Sequence, residues 1–466
     1  MSLAPLDALN RDFTGDIVRP GDPGYRQAGR VYAVQSEPAL LIRPRTADDV
    51  AVAIRYARDA SLALSVRGGG HHFGGLGTND GGVVIDLSEL SAIEVVDPVS
   101  RVVRLGPGAV WADVARRLRP YGMALTSGDT GSVGVGGLTL GGGIGWLVRH
   151  QGLAIDNLRA AEIVTADGKQ IRAGAGADAD EHEDLFWAIR GGGGNFGVVT
   201  AFEFTASPLD GVFAGEIDYP GHETAEVLKR WRDEMRSAPE RLNSTVRLAP
   251  PLAGTDPVAR VRICYAGTDE AAATAAIDPL RRLGTVLSDT VRVMAYPDVL
   301  DDALTLDGIR LVVRSRFADA FDDDLVAAIA GNCGRPGSAV TQVRGLGGAV
   351  RRVAPDATAF AHRASEILLI AATPLPLTAS SSDVEATLRR WRAMSAPGGG
   401  AAAAAYANFT SDTTDAETRR VYPPRTYRRL AEIKQTYDPH NVFRRNINIP
   451  PAATDRTPYE QVSSNS

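Results

Sequence analysis

Two adjacent histidines, His71 and His72, stand between runs of glycine in LSVRGGGHHFGGLG (Leu64 to Gly77), in a chain that holds only seven histidines. An imidazole nitrogen is a nucleophile, a base or a metal ligand near neutrality, since its unperturbed pKa is ~6.5. Neighbours on extended chain point to opposite faces, so the pair does not suit one shared metal ion. No metal site is expected. Cys264 and Cys333 form no Cys-x-x-Cys pair, which argues against zinc, iron-sulfur and disulfide frameworks and for two reduced thiols.

Glycine is the other chemistry-bearing residue. There are 49, concentrated in the first 200 positions, with clusters at Gly68 to Gly75, Gly134 to Gly145 (within GSVGVGGLTLGGGIGW) and Gly191 to Gly197. Glycine lets backbone approach a ligand closely and lets consecutive N–H groups turn inward around an anion. Three such loops suit a large, planar, phosphate-bearing cofactor; any one cluster alone reads more readily as an ordinary tight turn. GGGNFG (192–197) has G-x-G-x-x-G spacing, but a Rossmann site needs strand, glycine turn, then helix. Here the order is helix, glycines, strand, which disfavours a nicotinamide site, and no Lys-[Ser/Thr] comes after the glycines to make a phosphate-binding P-loop.

The elements that must position these loops can be read from periodicity. Residues 39 to 67 predict a strand (ALLIRP), a helix and a strand (LALSVR), the helix capped by Thr46 with Asp48 and Asp49 in its first turn and Val50, Ile54 and Ala57 at helical spacing. GVVIDLS, IEVVD and RVVRLGPG predict strands, Trp111 to Leu118 a helix, AAEIVTADGKQIRA a hairpin turning at Asp167-Gly168, DLFWAIR a short helix and VVTAFEFTA a strand. Near Pro208 the glycine richness stops, and strands then alternate with long polar helices (ETAEVLKRWRDEM, DEAAATAAIDPLRRL, DDDLVAAIAGN). The stretch PGGGAAAAAYANF (397–409) predicts a loop entering a buried strand.

With 466 residues, the chain is two to three times the ~100 to 200 residues of one domain, and two domains are expected. A hydrophobic fraction of 44% and a charged fraction of 23% are those of a folded globular protein. No apolar run approaches the ~20 residues that span a bilayer. The first residues lack a basic and then apolar leader, so a cytoplasmic location is expected. A net charge of -6 offers no attraction for phosphate backbones, and nucleic acid is not an expected partner.

SVRGGGHHFGG, VGVGG with GGGIGWLVRHQGLAIDNL, DLFWAIRGGGGNFGVVT and YDPHNVFRRNINIP together resemble the FAD-linked oxidoreductases of the berberine bridge enzyme-like family, which carry a vanillyl-alcohol oxidase type FAD-binding domain. The matches run in order from about residue 39 to 451, and the ending FRxNxNI is especially similar to bacterial members. The resemblance implies an α+β, two-domain FAD-linked oxidase fold: an FAD-binding domain of two α/β subdomains (1–207, returning at 411–466) and a substrate domain (208–410) whose antiparallel sheet is covered by helices. It implies FAD bonded covalently to His71, the histidine of the R-x-G-G-H motif, with His72 facing elsewhere. Many members hold the flavin a second time through a cysteine; Thr130 occupies that position in DTGSVGVGG, so one histidyl bond is expected.

Carried over motif by motif, the cofactor-binding residues implied are Arg67, Gly68, Gly69 and Gly70 with the two histidines; Gly128, Asp129, Val133, Gly134, Gly137, Gly141, Gly142 and Gly145 around Thr130; then Asn157, Gly194, Gly197 and Val198. Asn446 and Asn448 complete the set, with a strand that merely closes the domain as the other reading. Candidate catalytic residues are Gln342 and Arg344, which lie two apart on AVTQVRGLGG and so share one strand face, and Tyr406 and Asn408, which match a Y-x-N-[Y/F] motif. Arg344 stands where some members have an acid. A solvated sheet face and a structural tyrosine remain the other readings. His362 in AFAHR is expected to pack between domains, and Leu153 in QGLAIDN to gate oxygen.

The activity implied is hydride removal from a secondary alcohol, hemiacetal or C–N centre, with dioxygen reoxidising the flavin to give hydrogen peroxide. A dehydrogenase using another acceptor, and a flavin-binding protein without turnover, are the alternatives. The expected partners are a small-molecule substrate and dioxygen, with no membrane. Neither the substrate nor the oligomeric state is legible.

Overall fold

A computed structural model describes residues 13–32, 34–174, 182–251, 255–302, 308–335, 337–397 and 403–453. Its first sheet has four strands, β1 (Asp16–Val18), β2 (Leu40–Arg43), β3 (Leu64–Arg67) and β4 (Val83–Asp86), in the order β1-β2-β4-β3. Helix α1 (Ala47–Asp59) joins β2 to β3. Thr46 Oγ1 accepts the Asp49 N–H, and the Asp49 carboxylate accepts the Thr46 N–H, both at 3.1 Å, which satisfies donors that a helix start leaves orphaned. The expected β-α-β order holds, but β4 inserts between the two strands, parallel to both. All four β4 residues are buried, the apolar Val83, Val84 and Ile85 between two parallel neighbours and Asp86 paired with Arg67 and Arg43.

The second sheet is antiparallel. Its strands β5 (Ile93–Asp97), β6 (Val102–Leu105), β7 (Leu158–Val164), β8 (Gln170–Gly174) and β9 (Val198–Thr205) are ordered β8-β7-β9-β6-β5. The β7–β8 hairpin turns at Asp167-Gly168 as read from sequence, with Gly168 at φ 84°. Between β6 and β7 lie α2 (Trp111–Leu118) and α3 (Val135–Gly141), and α4 (Glu183–Ile189) precedes β9.

Eight strands make the third sheet: β10 (Val212–Pro220), β11 (Leu242–Leu248), β12 (Val258–Ala266), β13 (Ser288–Asp289), β14 (Arg292–Met294), β15 (Ile309–Ala318), β16 (Val340–Gly345) and β17 (Ile367–Pro376). The order is β13-β10-β12-β11-β16-β17-β15, with β14 also on β10. Helices α5 (Thr224–Ser237), α6 (Glu270–Arg281), α7 (Asp323–Asn332) and α8 (Ser381–Ser395) cover one face, where Trp231, Leu280, Ile329 and Trp391 bury Val246, Val261, Val343 and Leu369. Side chains alternate along a strand, so Val313, Leu368 and Ile370 turn to the other face and pack on Ile144, Leu153 and Tyr406.

Residues 398–402 of the alanine-rich stretch lie outside the described residues. The segment from Ala404 to Ser411 is largely buried, as expected, but it is not a ladder strand: Ala404 and Ser411 bond the free edge of β15, the Tyr406 N–H donates to the Ser315 hydroxyl, and Ala407–Phe409 close a 3-10 turn. A side-chain acceptor in place of a carbonyl is what breaks the ladder there. The chain then returns to the glycine-rich half through α9 (Asp415–Val421) and α10 (Pro424–Tyr437).

Candidate functional site

The three glycine clusters meet. A Cβ on Gly69 would lie 2.3 Å from the Gly134 nitrogen, so the first and second loops touch backbone to backbone, and only glycine fits there. The Gly191 and Gly193 N–H groups both donate to the Leu140 carbonyl, at 3.1 and 3.0 Å, which clamps the third loop onto the end of α3. Gly137 and Gly194 face open space.

At one end of this cradle stands His71. Its ring stacks on Tyr32 at 5.0 Å and bonds the Ser132 backbone, while burial holds its pKa below the usual value, so the imidazole is neutral at pH 7. His72 points away: Nδ1 accepts the Gly74 N–H and Nε2 meets the Ala407 carbonyl at 3.3 Å, with burial driving its pKa down to about 4. Among the described residues no group of three or more His, Cys, Asp or Glu could hold a metal.

An aromatic wall leads from His71 to the other end. Tyr32 meets Phe73 at 5.9 Å, Phe73 meets Phe409 at 5.9 Å, and Phe409 meets Tyr406 at 5.7 Å. The Tyr406 hydroxyl accepts the Gly143 N–H at 2.9 Å and Asn408 Nδ2–H at 3.0 Å, against a glycine at φ 131° (Gly142) whose Cβ would come within 3.4 Å of it. Burial raises its pKa to about 12, so it is a phenol at neutral pH.

Arg344 lies beside Phe409, its guanidinium carbon 4.7 Å from the ring centre. Nη2 donates to Asp129 at 2.5 Å and to Gln342 Oε1 at 2.7 Å. Burial opposes ionisation of Asp129, but Arg344 and Arg262 outweigh it and hold the carboxyl below its usual pKa. Arg344 is 6% exposed, so this strand face is not a solvated one. Asp129, Gln342 and Arg344 line a narrow cleft with Trp146, Asn243 and Thr245. The loop carrying Asp129 and Thr130 is held by Asp301, whose carboxylate takes a bidentate bond from Arg262 at 2.7 and 2.8 Å.

Residues 38–174 match the FAD binding domain model, and residues 405–450 match the model for berberine and berberine-like proteins. The (R)-6-hydroxynicotine oxidase of Paenarthrobacter nicotinovorans is 32% identical over 460 residues, 94% of this chain and 97% of that protein. The chain belongs to the berberine bridge enzyme-like family of FAD-linked oxidoreductases. It is an FAD-dependent oxidoreductase. The crystal structure of 6-hydroxy-D-nicotine oxidase from Arthrobacter nicotinovorans superposes with a TM-score of 0.84 at 30% identity, covering 97% of this chain and 100% of that one. Xylooligosaccharide oxidase from Myceliophthora thermophila shares the fold, with a TM-score of 0.84 at 24% identity over 96% of this chain and 99% of that one.

The residues present fit FAD. Beside the third loop, Asn446 and Asn448 each leave a buried side-chain oxygen without a protein partner, and Thr139 on α3 leaves its hydroxyl so. Asn195 Nδ2 donates to the Ile447 carbonyl, which places both asparagines along that loop. Other expected contacts are differently occupied. The Arg67 guanidinium turns to the buried Asp86 carboxylate at 2.6 Å and the Ala28 carbonyl at 2.6 Å, so it shapes the end of β3. Asn157 Nδ2 ties the Gln151 and Leu153 carbonyls of its own turn. Val198 is fully buried in the core, and the Cβ side of Gly197 faces Ile163, which leaves only their backbone for a ligand. Gly68, Gly70, Gly128, Val133, Gly141 and Gly145 lie in the touching loops. His362 packs as expected, stacked on Phe317 at 4.8 Å with Nε2 on the Val421 carbonyl. Sequence reasoning missed Tyr32, Phe73 and Arg262; only Arg262 left a signal, the alternation of VARVRICYA, which sets it and Cys264 on the strand face away from the helices.

Proposed function

We propose that the chain is an FAD-dependent oxidase acting on a secondary alcohol, hemiacetal or C–N centre of a small molecule, with residues 208–410 as the substrate domain and 1–207 with 411–466 as the FAD-binding domain. The observation that supports it is the convergence of Tyr406 and the Asp129–Arg344–Gln342 cluster on the cradle that begins at His71. His71 would hold the flavin by a single covalent bond, since Thr130 has no thiol to make a second. When bound, the flavin supplies a hydride acceptor.

The chain's own residues handle the proton and the orientation. Tyr406, protonated and with its oxygen already accepting two N–H groups, has its own hydrogen left to donate, so it positions the substrate oxygen or nitrogen and does not serve as the resting base. Asp129 is the ionised acceptor in the cleft, and Arg344 fixes it. Asp129 pairs the buried Arg344, and removing one partner of a buried charge pair leaves the other uncompensated at about 3–5 kcal/mol, so Asp129→Asn should displace Arg344 and slow flavin reduction at least about tenfold.

The test is anaerobic bleaching of the yellow protein with a panel of alcohols, sugars and amines, and then admission of air. An oxidase recovers its colour within seconds and releases peroxide. Recovery over many minutes with fast turnover on an artificial acceptor would mean a dehydrogenase, and bleaching by nothing in the panel would count against turnover.

A further inference from the structure

A cavity lies away from the cradle, on the helix side of the eight-stranded sheet. It measures about 350 Å³, the size of a small-molecule pocket (~300 to 1,000 Å³) and far above the gaps that close-packed interiors leave. Its floor is β15, β16 and β17, its roof is α8, and its rim is Asn332, Arg335 and Gly337 to Ala339.

The lining has a defined chemistry. Trp391, Met394 and Leu388 from α8 give one apolar wall. Opposite them stand Thr341 and Thr373, 1% and 8% exposed, and Ser338 leaves its hydroxyl oxygen buried without a partner. Three arginines line the cavity and no carboxylate does. The inner one, Arg314, is committed: Nη2 pairs with Asp412 at 2.9 Å, and Nη1 bonds the Val313 carbonyl and the Ser411 hydroxyl. Among the described residues Arg335 makes no ion pair, and Arg390 has only the Gly337 carbonyl at 3.0 Å. Those two exposed cations stand at the mouth over an apolar and hydroxylated interior. Such a space is not a dry packing defect, because dry cavities are apolar.

We propose that this cavity is a second ligand site, separate from the flavin site, for a small amphipathic monoanion: a flat apolar body against Trp391 and Met394, with its carboxylate or sulfonate on Arg335 and Arg390. The charge sits at the mouth because Arg314 is already neutralised by Asp412. The Ser338 hydroxyl, buried without a partner, is left to bond a polar substituent of the ligand.

The holoprotein is titrated calorimetrically with 8-anilinonaphthalene-1-sulfonate, a flat aromatic sulfonate, at low salt. The expected result is one saturable site. Arg335→Gln/Arg390→Gln, which changes only surface groups, should weaken it at least about tenfold, and Thr373→Trp, which fills the floor, should abolish it. Flavin absorbance stays unchanged in each variant. Absence of saturable binding, or equal affinity in the arginine double variant, would overturn the proposal, and that double variant decides the matter should Thr373→Trp fail to fold.

Discussion

At Tyr406 two N–H donors, from Gly143 and Asn408, converge on one phenolic oxygen while burial lifts its pKa to about 12. Tyr406→Phe removes only the hydroxyl. Flavin reduction measured by stopped flow should slow at least about tenfold with flavin content unchanged, as expected for loss of a hydrogen bond that positions the substrate. An unaltered rate would remove Tyr406 from the chemistry, and a loss of FAD would make it structural. Gln342→Ala is the companion, since Gln342 Oε1 receives both Nε and Nη2 of Arg344; it should slow reduction less than Asp129→Asn. Much of this site was legible. His71, Thr130 and Tyr406 stand in motifs that resemble those of the family, and period-2 alternation put Gln342 and Arg344 on one face. The Asp129–Arg344 pair was not legible, because 215 positions separate residues that only the folded sheet brings together. Nor were Tyr32 and Phe73, since an isolated aromatic residue carries no pattern.

The elements that return from the C-terminus hold the third glycine loop. Lys434 on α10, 0% exposed, donates to the Asn195 carbonyl at 2.7 Å, to Asp438 at 2.6 Å and to the Phe443 carbonyl at 3.1 Å. Asn195 in turn accepts the Ile449 N–H at 3.0 Å. Removing one partner of a buried pair leaves an uncompensated charge and costs about 3–5 kcal/mol. Lys434→Met should therefore lower stability in urea by that order, with FAD retention falling alongside it; a change below about 1 kcal/mol would show that the return is not anchored there. Helix and strand identities were legible at this scale wherever a cap or a strict period marked them, as at Thr46 and at Asp167-Gly168. Strand order was not, since β4 enters between β2 and β3 through contacts that periodicity does not encode.

Across the molecule, the buried neutral histidines set an acid limit. His72 titrates at about 4 against 6.5 in an exposed chain, and burial lowers His71 and His362 as well. Between pH 6.5 and 4 the unfolded chain binds protons that the folded one excludes, so stability is full above 6.5 and falls through that window. Melting temperature should decline steadily over it, and His72→Asn should flatten the decline; a flat wild-type profile would contradict the burial of these rings. The proposed attachment of FAD is a single bond from His71. Intact mass measured after acid denaturation tests it most directly: the chain should carry one FAD, lost in His71→Ala and kept in Thr130→Ala. Flavin released intact by acid from the wild type would contradict it.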